Sequence, residues 1–326
     1  MNDFRYPCTG HIGHKGFGSF LDSNLAEPRH NIKSFAAELK QTFGPKYITL
    51  VNSGSSANLV AALTLAERIR NEGRSLTAVT AAFTFPTTLS ALELAGFNVR
   101  IVDTEKNGFN ICPIALEKAL LAEETSLVCL THFLGFPAQM DAIVPLTRNH
   151  GVRILQDACE TMTLIGTDGQ PLFERGDITT WSFYHPHHLS SYGGGAVITN
   201  TFEDYTLADS ISHWGRACTC HIDPKGCVVA PGPWHQFFYM RSGLNVEMSE
   251  LNACFGRFQL RKWAEAEAHR KENYSILYEE LKTHPLVEVY PAPLNNGSPF
   301  VFPITLRSED KNIKTTEIAH ALAQKG

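Results

Sequence analysis

Three groups of residues in this chain have types and spacings that can do chemistry. Between Trp181 and Thr199 the sequence reads WSFYHPHHLSSYGGGAVIT, which sets His185, His187 and His188 within four residues and follows them with Gly193, Gly194 and Gly195. A neutral imidazole, with an ordinary pKa of about 6.5, takes up and gives back protons near neutral pH. A serine closing a strand, a basic group four residues after Phe183 and a run of glycines together mark a loop that holds a charged ligand. The second group is Cys218, Cys220 and Cys227, spaced C-x-C-x6-C. Thiolates this close attract a soft metal ion or an iron–sulfur cluster, and either needs a fourth ligand. Cys159, lying 59 residues before Cys218, is one candidate, and His221 and His235 are others. The third is Asp157 in the run Gln-Asp-Ala-Cys-Glu, a carboxylate at the carboxyl end of an apolar strand, where it is costly unless paired.

The elements that must position these groups follow a βαβ rhythm. Apolar residues at Phe35, Ala36, Leu39 and Phe43 have helical spacing, and Tyr47–Val51 reads as a strand. Next comes the small-residue turn Asn52-Ser53-Gly54-Ser55-Ser56 and a helix over 57–70, an arrangement that offers backbone N–H groups to an anion. Strands are expected at 76–80, 98–102, 127–131 and 152–156, with helices ahead of Gly96, over 113–122 and over 142–150. That alternation implies a largely parallel sheet. Residues 1–30 show no period and read as an irregular arm. Residues 31–250 read as the large domain, and 251–326 as a linking helix and part of a small one, with short strands at 287–290 and 300–306 and a helix over 315–324.

At 326 residues, 43% hydrophobic and 19% charged, with a formal net charge of −5, the chain has the makeup of a water-soluble globule without nucleic-acid character. The amino terminus lacks the apolar core of a secretory signal, and the most apolar window, 77–99, is broken by Pro86 and Glu93, so a cytoplasmic location is expected. Eight cysteines in such a chain point to thiols or a metal site rather than disulfides. Cys8, Cys112, Cys129 and Cys254 read as isolated buried thiols.

The central stretch resembles the signature of the DegT-type nucleotide-sugar aminotransferases, which are fold-type I pyridoxal-phosphate enzymes. In that pattern Ser-Phe, three residues, Lys, six residues and Gly-Gly follow one another, and the lysine forms a Schiff base with the cofactor. Here Ser182 and Phe183 are followed by His187 and Gly194, so histidine stands at the lysine position. Imidazole cannot form that bond, which excludes ordinary transamination. The same exchange characterises a branch of pyridoxamine-phosphate-dependent sugar 3-dehydrases.

The resemblance implies a three-layer α/β/α large domain and a small C-terminal α/β domain that is shortened here. It implies His187 as catalytic base and Asp157 as partner of the cofactor's ring nitrogen. Gly54, Ser55 and Ser56 become the phosphate cradle, Phe85 the ring-stacking aromatic, and Ser182 and Glu160 further cofactor contacts. Asn245 would reach the cofactor phosphate of the partner subunit in a homodimer. Cys159, Cys218, Cys220 and Cys227 resemble the 2Fe-2S cluster ligands of the iron–sulfur member of the branch, with one residue more between the first pair and one fewer between the last. The implied reaction is pyridoxamine 5'-phosphate (PMP) and 2Fe-2S dependent dehydration at C3 of a nucleotide-linked 4-keto-6-deoxyhexose, giving a 3,6-dideoxy sugar. With no flavin or nicotinamide motif in the chain, a separate NAD(P)H-dependent iron–sulfur flavin reductase would deliver the electrons. The alternatives are a cluster-free 3-dehydratase whose cysteines bind zinc or nothing, and a non-catalytic homologue. An aminotransferase using Lys225 is more remote.

Overall fold

A computed structural model describes residues 15–24, 29–292, 297–307 and 315–325. A seven-stranded sheet runs through the molecule in the order β1 (Tyr47–Val51), β7 (Gly195–Thr199), β6 (Ile178–Ser182), β5 (Arg153–Asp157), β4 (Leu127–Thr131), β2 (Thr77–Ala81), β3 (Asn98–Val102). From β6 to β3 the pairs are parallel, as the βαβ alternation predicts. β7 is antiparallel to both neighbours, because β6 returns into it through the 183–194 loop without a crossover helix.

Helices cover both faces. Leu127 and Cys129 of β4 pack with α3 (Gly54–Asn71), α4 (Pro86–Leu94) and α7 (Phe202–Ser212), while the alternate residues Val128 and Leu130 pack with α5 (Pro113–Ala122) and α6 (Met140–Asn149). That two-sided burial is why these strands read as continuous apolar runs. At the β1 end, Trp181, Leu50 and Ile198 meet Phe35 and Leu39 of α2 (His30–Phe43), Ala253 of α8 (Glu250–Leu260) and Trp263 of α9 (Trp263–Leu281). The C-terminal part holds a separate antiparallel pair, β8 (Val287–Val289) with β9 (Ile304–Leu306), and α10 (Thr315–Lys325).

Part of the expected irregular arm is helical: α1 spans Phe17–Asn24. Its apolar residues Phe17, Phe20 and Leu21 are held by Cys254, Phe255 and Phe258, a partner distant in sequence that local periodicity does not reveal. Residues 1–14 of that arm, including Cys8, lie outside the described residues. Cys129 and Cys254 are buried as expected, whereas Cys112 is partly exposed. No helix among the described residues is long and apolar enough to cross a membrane.

One buried histidine gives the fold a measurable pH response. His132 Nδ1 accepts from the Ala138 N–H (3.1 Å) and Nε2 faces the Gln156 Oε1 (3.0 Å), so the ring is neutral with its hydrogen on Nε2. Burial lowers its pKa to about 4, against the opposing pull of Gln156 and Asp157. The unfolded chain binds this proton below about 6.5 and the folded one resists it, so stability falls as pH drops; by pH 5 the loss is about 2 kcal/mol. Glu160, whose pKa is raised to about 7 chiefly by burial, acts in the opposite sense. The expected result is therefore a difference: urea midpoints measured at pH 7 and 5 fall less in His132→Asn than in the parent chain.

Candidate active site

A cavity of about 550 Å³ opens at the carboxyl ends of β5 and β6, against the amino terminus of α3. This is where ligands of open α/β sheets bind. Ser53 caps α3: its side chain accepts from the Ser56 N–H (3.0 Å), and Gly54 and Ser55 of the first turn, where helix N–H groups suit an anion, line the cavity. Ser55 Oγ donates to Thr87 Oγ1 (2.9 Å), and both residues line the cavity. Ser56, expected in the cradle, turns its hydroxyl to Asn52 Oδ1 (2.6 Å) and does not line the cavity, whereas Ser53 and Thr87 do. The backbone geometry is set from behind. A Cβ on Gly195 would lie 2.4 Å from Ser53 O and 2.8 Å from Gly54 N, so only glycine lets β7 back onto the turn. Gly193 and Gly194 have φ of +139° and +128°, which side-chain-bearing residues rarely adopt.

Asp157 sits at the end of β5, 3% exposed. Its Oδ2 accepts from Asn58 Nδ2 (2.8 Å) and Thr88 Oγ1 (2.6 Å), and its Oδ1 from the Cys159 N–H (3.1 Å). Thr180 in turn donates to Asn58 Oδ1 (2.5 Å). This shell satisfies the buried carboxylate and aims it into the cavity. Asn58, Thr88 and Thr180 were absent from the sequence reading: each is a common helix or strand residue, and only the fold brings them to Asp157.

His187 lines the same cavity, and its ring packs edge-to-face with Phe300 at 5.3 Å. Its Nδ1 is buried without a hydrogen-bond partner, an arrangement that is costly unless a ligand completes it. Burial lowers the pKa to about 4, opposed by the charge of Asp157 and a backbone acceptor at Ser182. The neighbouring His188 has a different task. It is buried, its Nε2 meets the Ser298 carbonyl (2.9 Å), and its ring lies against Trp263 and Phe300. The question of which histidine faces the cavity is thereby answered by geometry: His187 does.

Phe85, just before α4, is 55% exposed and lines the cavity, so it is not packed as a core staple. Ser182 and Glu160 line it too; Glu160 accepts from the Leu134 N–H. Tyr184 and Phe300 complete the wall and were not anticipated. No lysine stands among the described lining residues, and Lys225 lies on an exposed turn with its N–H on Asp223. Asn245 is exposed, bridges to His213, and stands outside the cavity.

The structure groups three of the four cysteines expected together. Cys218, Cys220 and Cys227 do come together, but the fourth group among them is His235, all four ligand atoms lying within 4.8 Å of one another. Cys159 is not in that set. Its sulfur faces the cavity, 2.9 Å from where a Gly54 Cβ would stand, and burial followed by the Asp157 charge raises its thiol pKa well above the usual value. Two residues from Asp157 on a tight turn, it is tied to the carboxylate rather than to the cysteine loop.

Residues 15–326 match the DegT/DnrJ/EryC1/StrS aminotransferase family. The chain belongs to that family. Within the DegT family it is 32% identical over 295 residues to dTDP-4-dehydro-2,6-dideoxy-D-glucose 3-dehydratase of Saccharopolyspora spinosa, spanning 86% of this chain and 63% of that protein. It is 29% identical over 313 residues to GDP-4-keto-6-deoxy-D-mannose 3-dehydratase of Yersinia pseudotuberculosis, spanning 94% of this chain and 78% of that one. The fold matches that of Escherichia coli GDP-4-keto-6-deoxy-D-mannose-3-dehydratase with bound hydrated PLP, at a TM-score of 0.85 and 24% identity, covering 99% of this chain and 84% of that one. The DegT-family fold is thus the PLP-dependent aminotransferase fold.

Proposed function

We propose that this chain is a PMP-dependent nucleotide-sugar 3-dehydrase acting on a nucleotide-linked 4-keto-6-deoxyhexose. The observation that carries the reading is His187: a buried Nδ1 without a partner on the wall of a cavity whose described lining has no lysine. Relatives that bear the name 3-dehydratase support the same class.

The residues present fit the cofactor. Gly54 and Ser55, with Ser53 and Thr87, would hold its phosphate at the α3 amino terminus. Asp157 would face the ring nitrogen and Phe85 the ring face, with Ser182 and Glu160 at the rim. When bound, PMP supplies a primary amine for the sugar's 4-keto carbon and a conjugated ring that spreads developing charge. His187, held neutral by burial, would take a proton at the cofactor's C4′ carbon and return one to the departing C3 hydroxyl. Asp157 would keep the ring nitrogen protonated, and Phe85 and Phe300 would keep water from the reacting carbons. A homodimer belongs to this reading: Asn245, exposed and outside this chain's own cavity, would serve a partner's site.

The reductive version needs Cys159 beside Cys218, Cys220 and Cys227. Cys159 is not within 4.8 Å of all three of those sulfurs, and the reaction proposed takes no electrons from a reductase. Without an external reductant the balance of the overall conversion requires one ammonia, and one cofactor amine turned to aldehyde, for each 3-deoxy-4-keto sugar formed. The test is incubation with PMP and a panel of dTDP-, GDP- and CDP-linked 4-keto-6-deoxyhexoses. Equal yields of 3-deoxy sugar and ammonia without a reductase are expected. A 4-amino sugar as product, or product only when a reductase is added, would overturn the reading.

Gly195→Ala probes the cradle. Its Cβ meets backbone rather than a movable side chain, so the Ser53–Gly54 turn must shift at about 1–3 kcal/mol. The expected outcome is a lower Tm and a PMP affinity weakened about 10-fold or more, read by fluorescence titration.

A further inference from the structure

The 22 residues from Thr219 to Met240 contain no fully buried side chain, and Val228, Trp234 and Phe237 are 79%, 71% and 51% exposed. A loop this long with no core of its own cannot offset the entropy of ordering it. Its neck is closed by main-chain bonds, Ala217 N to Phe238 O (2.8 Å) and Met240 N to Gly215 O (2.9 Å). One side is tied by His221 Nε2 to Asp209 Oδ2 (2.9 Å), in an ion-pair network that Glu247 and Arg29 complete around His213. Inside the loop the main-chain bonds are short-range turns, such as Ile222 N to Thr219 O (2.8 Å) and Phe237 N to Trp234 O (2.9 Å), and its two limbs are joined by the convergence of Cys218, Cys220, Cys227 and His235.

That convergence has the dimensions of one tetrahedron. All four ligand atoms lie within 4.8 Å of each other, with His235 Nε2 3.1 Å from Cys220 Sγ and 3.5 Å from Cys227 Sγ. Metal–ligand distances of about 2.3 Å for sulfur and 2.0–2.1 Å for nitrogen give tetrahedral edges of about 3.6–3.8 Å, so binding draws the four groups little from where they stand. A two-iron cluster sets its ligand pairs on separate metals and needs a wider spread. The imidazole is also oriented from behind. His235 Nδ1 lies 3.0 Å from the Ala230 carbonyl, to which it can only donate, leaving the Nε2 lone pair turned to the thiols. Such an outer hydrogen bond is the usual companion of a metal-bound histidine.

We propose that Cys218, Cys220, Cys227 and His235 bind a single tetrahedral Zn²⁺ that staples the 215–240 loop. The site is structural in kind, with four protein ligands and no open position, and it stands or falls independently of the dehydrase reading because metal content is measured without substrate. The experiment is metal analysis of the full chain purified without air, followed by replacement of the bound metal with Co²⁺. One zinc per chain and intense visible cobalt bands of a tetrahedral thiolate site are expected. His235→Ala is expected to weaken Zn²⁺ binding at least 10-fold, and Cys159→Ser to leave zinc content unchanged. His235→Cys keeps four ligands and guards against a misfolded alanine variant; it should retain the ion with a shifted cobalt spectrum. Two irons and two acid-labile sulfides per chain, lost in Cys159→Ser and kept in His235→Ala, would overturn the proposal, as would a wild-type chain that takes up neither zinc nor cobalt.

Discussion

Replacing His187 by Asn is expected to slow both dehydration and solvent exchange at the C4′ carbon by about 10²–10⁴-fold, the range supplied by a positioned general base. PMP affinity should change by only a few-fold, because in the proposed binding mode phosphate and ring contacts would come from other lining residues. The pH profile offers a separate check. Burial lowers His187 to about 4, so its base form is already full at neutral pH, and exchange should decline only as pH falls through about 4. A limb near 6.5 would mean an exposed base. His188→Asn is the control: it leaves exchange intact but loses the bond to Ser298 O and packing on Trp263, at about 1–3 kcal/mol of stability. If His188→Asn alone abolished exchange, the assignment would be reversed.

Asp157→Asn is the second large effect. The carboxylate takes two donors on Oδ2 and one on Oδ1, and an amide cannot accept on both atoms. Whichever way it turns, its NH₂ meets an N–H or O–H donor, leaving an unsatisfied buried group at about 1–3 kcal/mol. The buried charge that would pair with a protonated ring nitrogen is lost as well. Breaking such a pair costs about 3–5 kcal/mol, or roughly 10²–10⁴-fold in turnover. A combined drop in Tm and turnover, with the cofactor's ring-nitrogen pKa lowered in its absorbance spectrum, is the expected outcome. Turnover within 10-fold of the parent would remove Asp157 from the chemistry.

Much of the scaffold was legible from local pattern. β1, β3, β4 and α5 fall where periodicity places them: β1 and β4 are apolar runs buried in the sheet, β3 is a short run after Gly96 at the sheet edge, and α5 opens on Pro113. The order of strands was not legible, since pairing is settled between segments far apart in the chain. α1 was missed for the same reason.

At the site the division is clearer. By itself the sequence determined that histidine replaces the Schiff-base lysine and that an aspartate ends a buried strand. It also determined that a small-residue turn opens a helix and that three thiols share a short loop. These are properties of residue type and spacing. Only the tertiary structure decided that His187 rather than His188 faces the cavity, and that Asn58 and Thr88 hold Asp157. It also brought Phe300 in to wall the site and put His235 beside the three cysteines in place of Cys159. Each is a matter of direction, and the direction of a side chain depends on partners supplied by other elements: Ser298 draws His188 away, and Ala230 turns His235 inward.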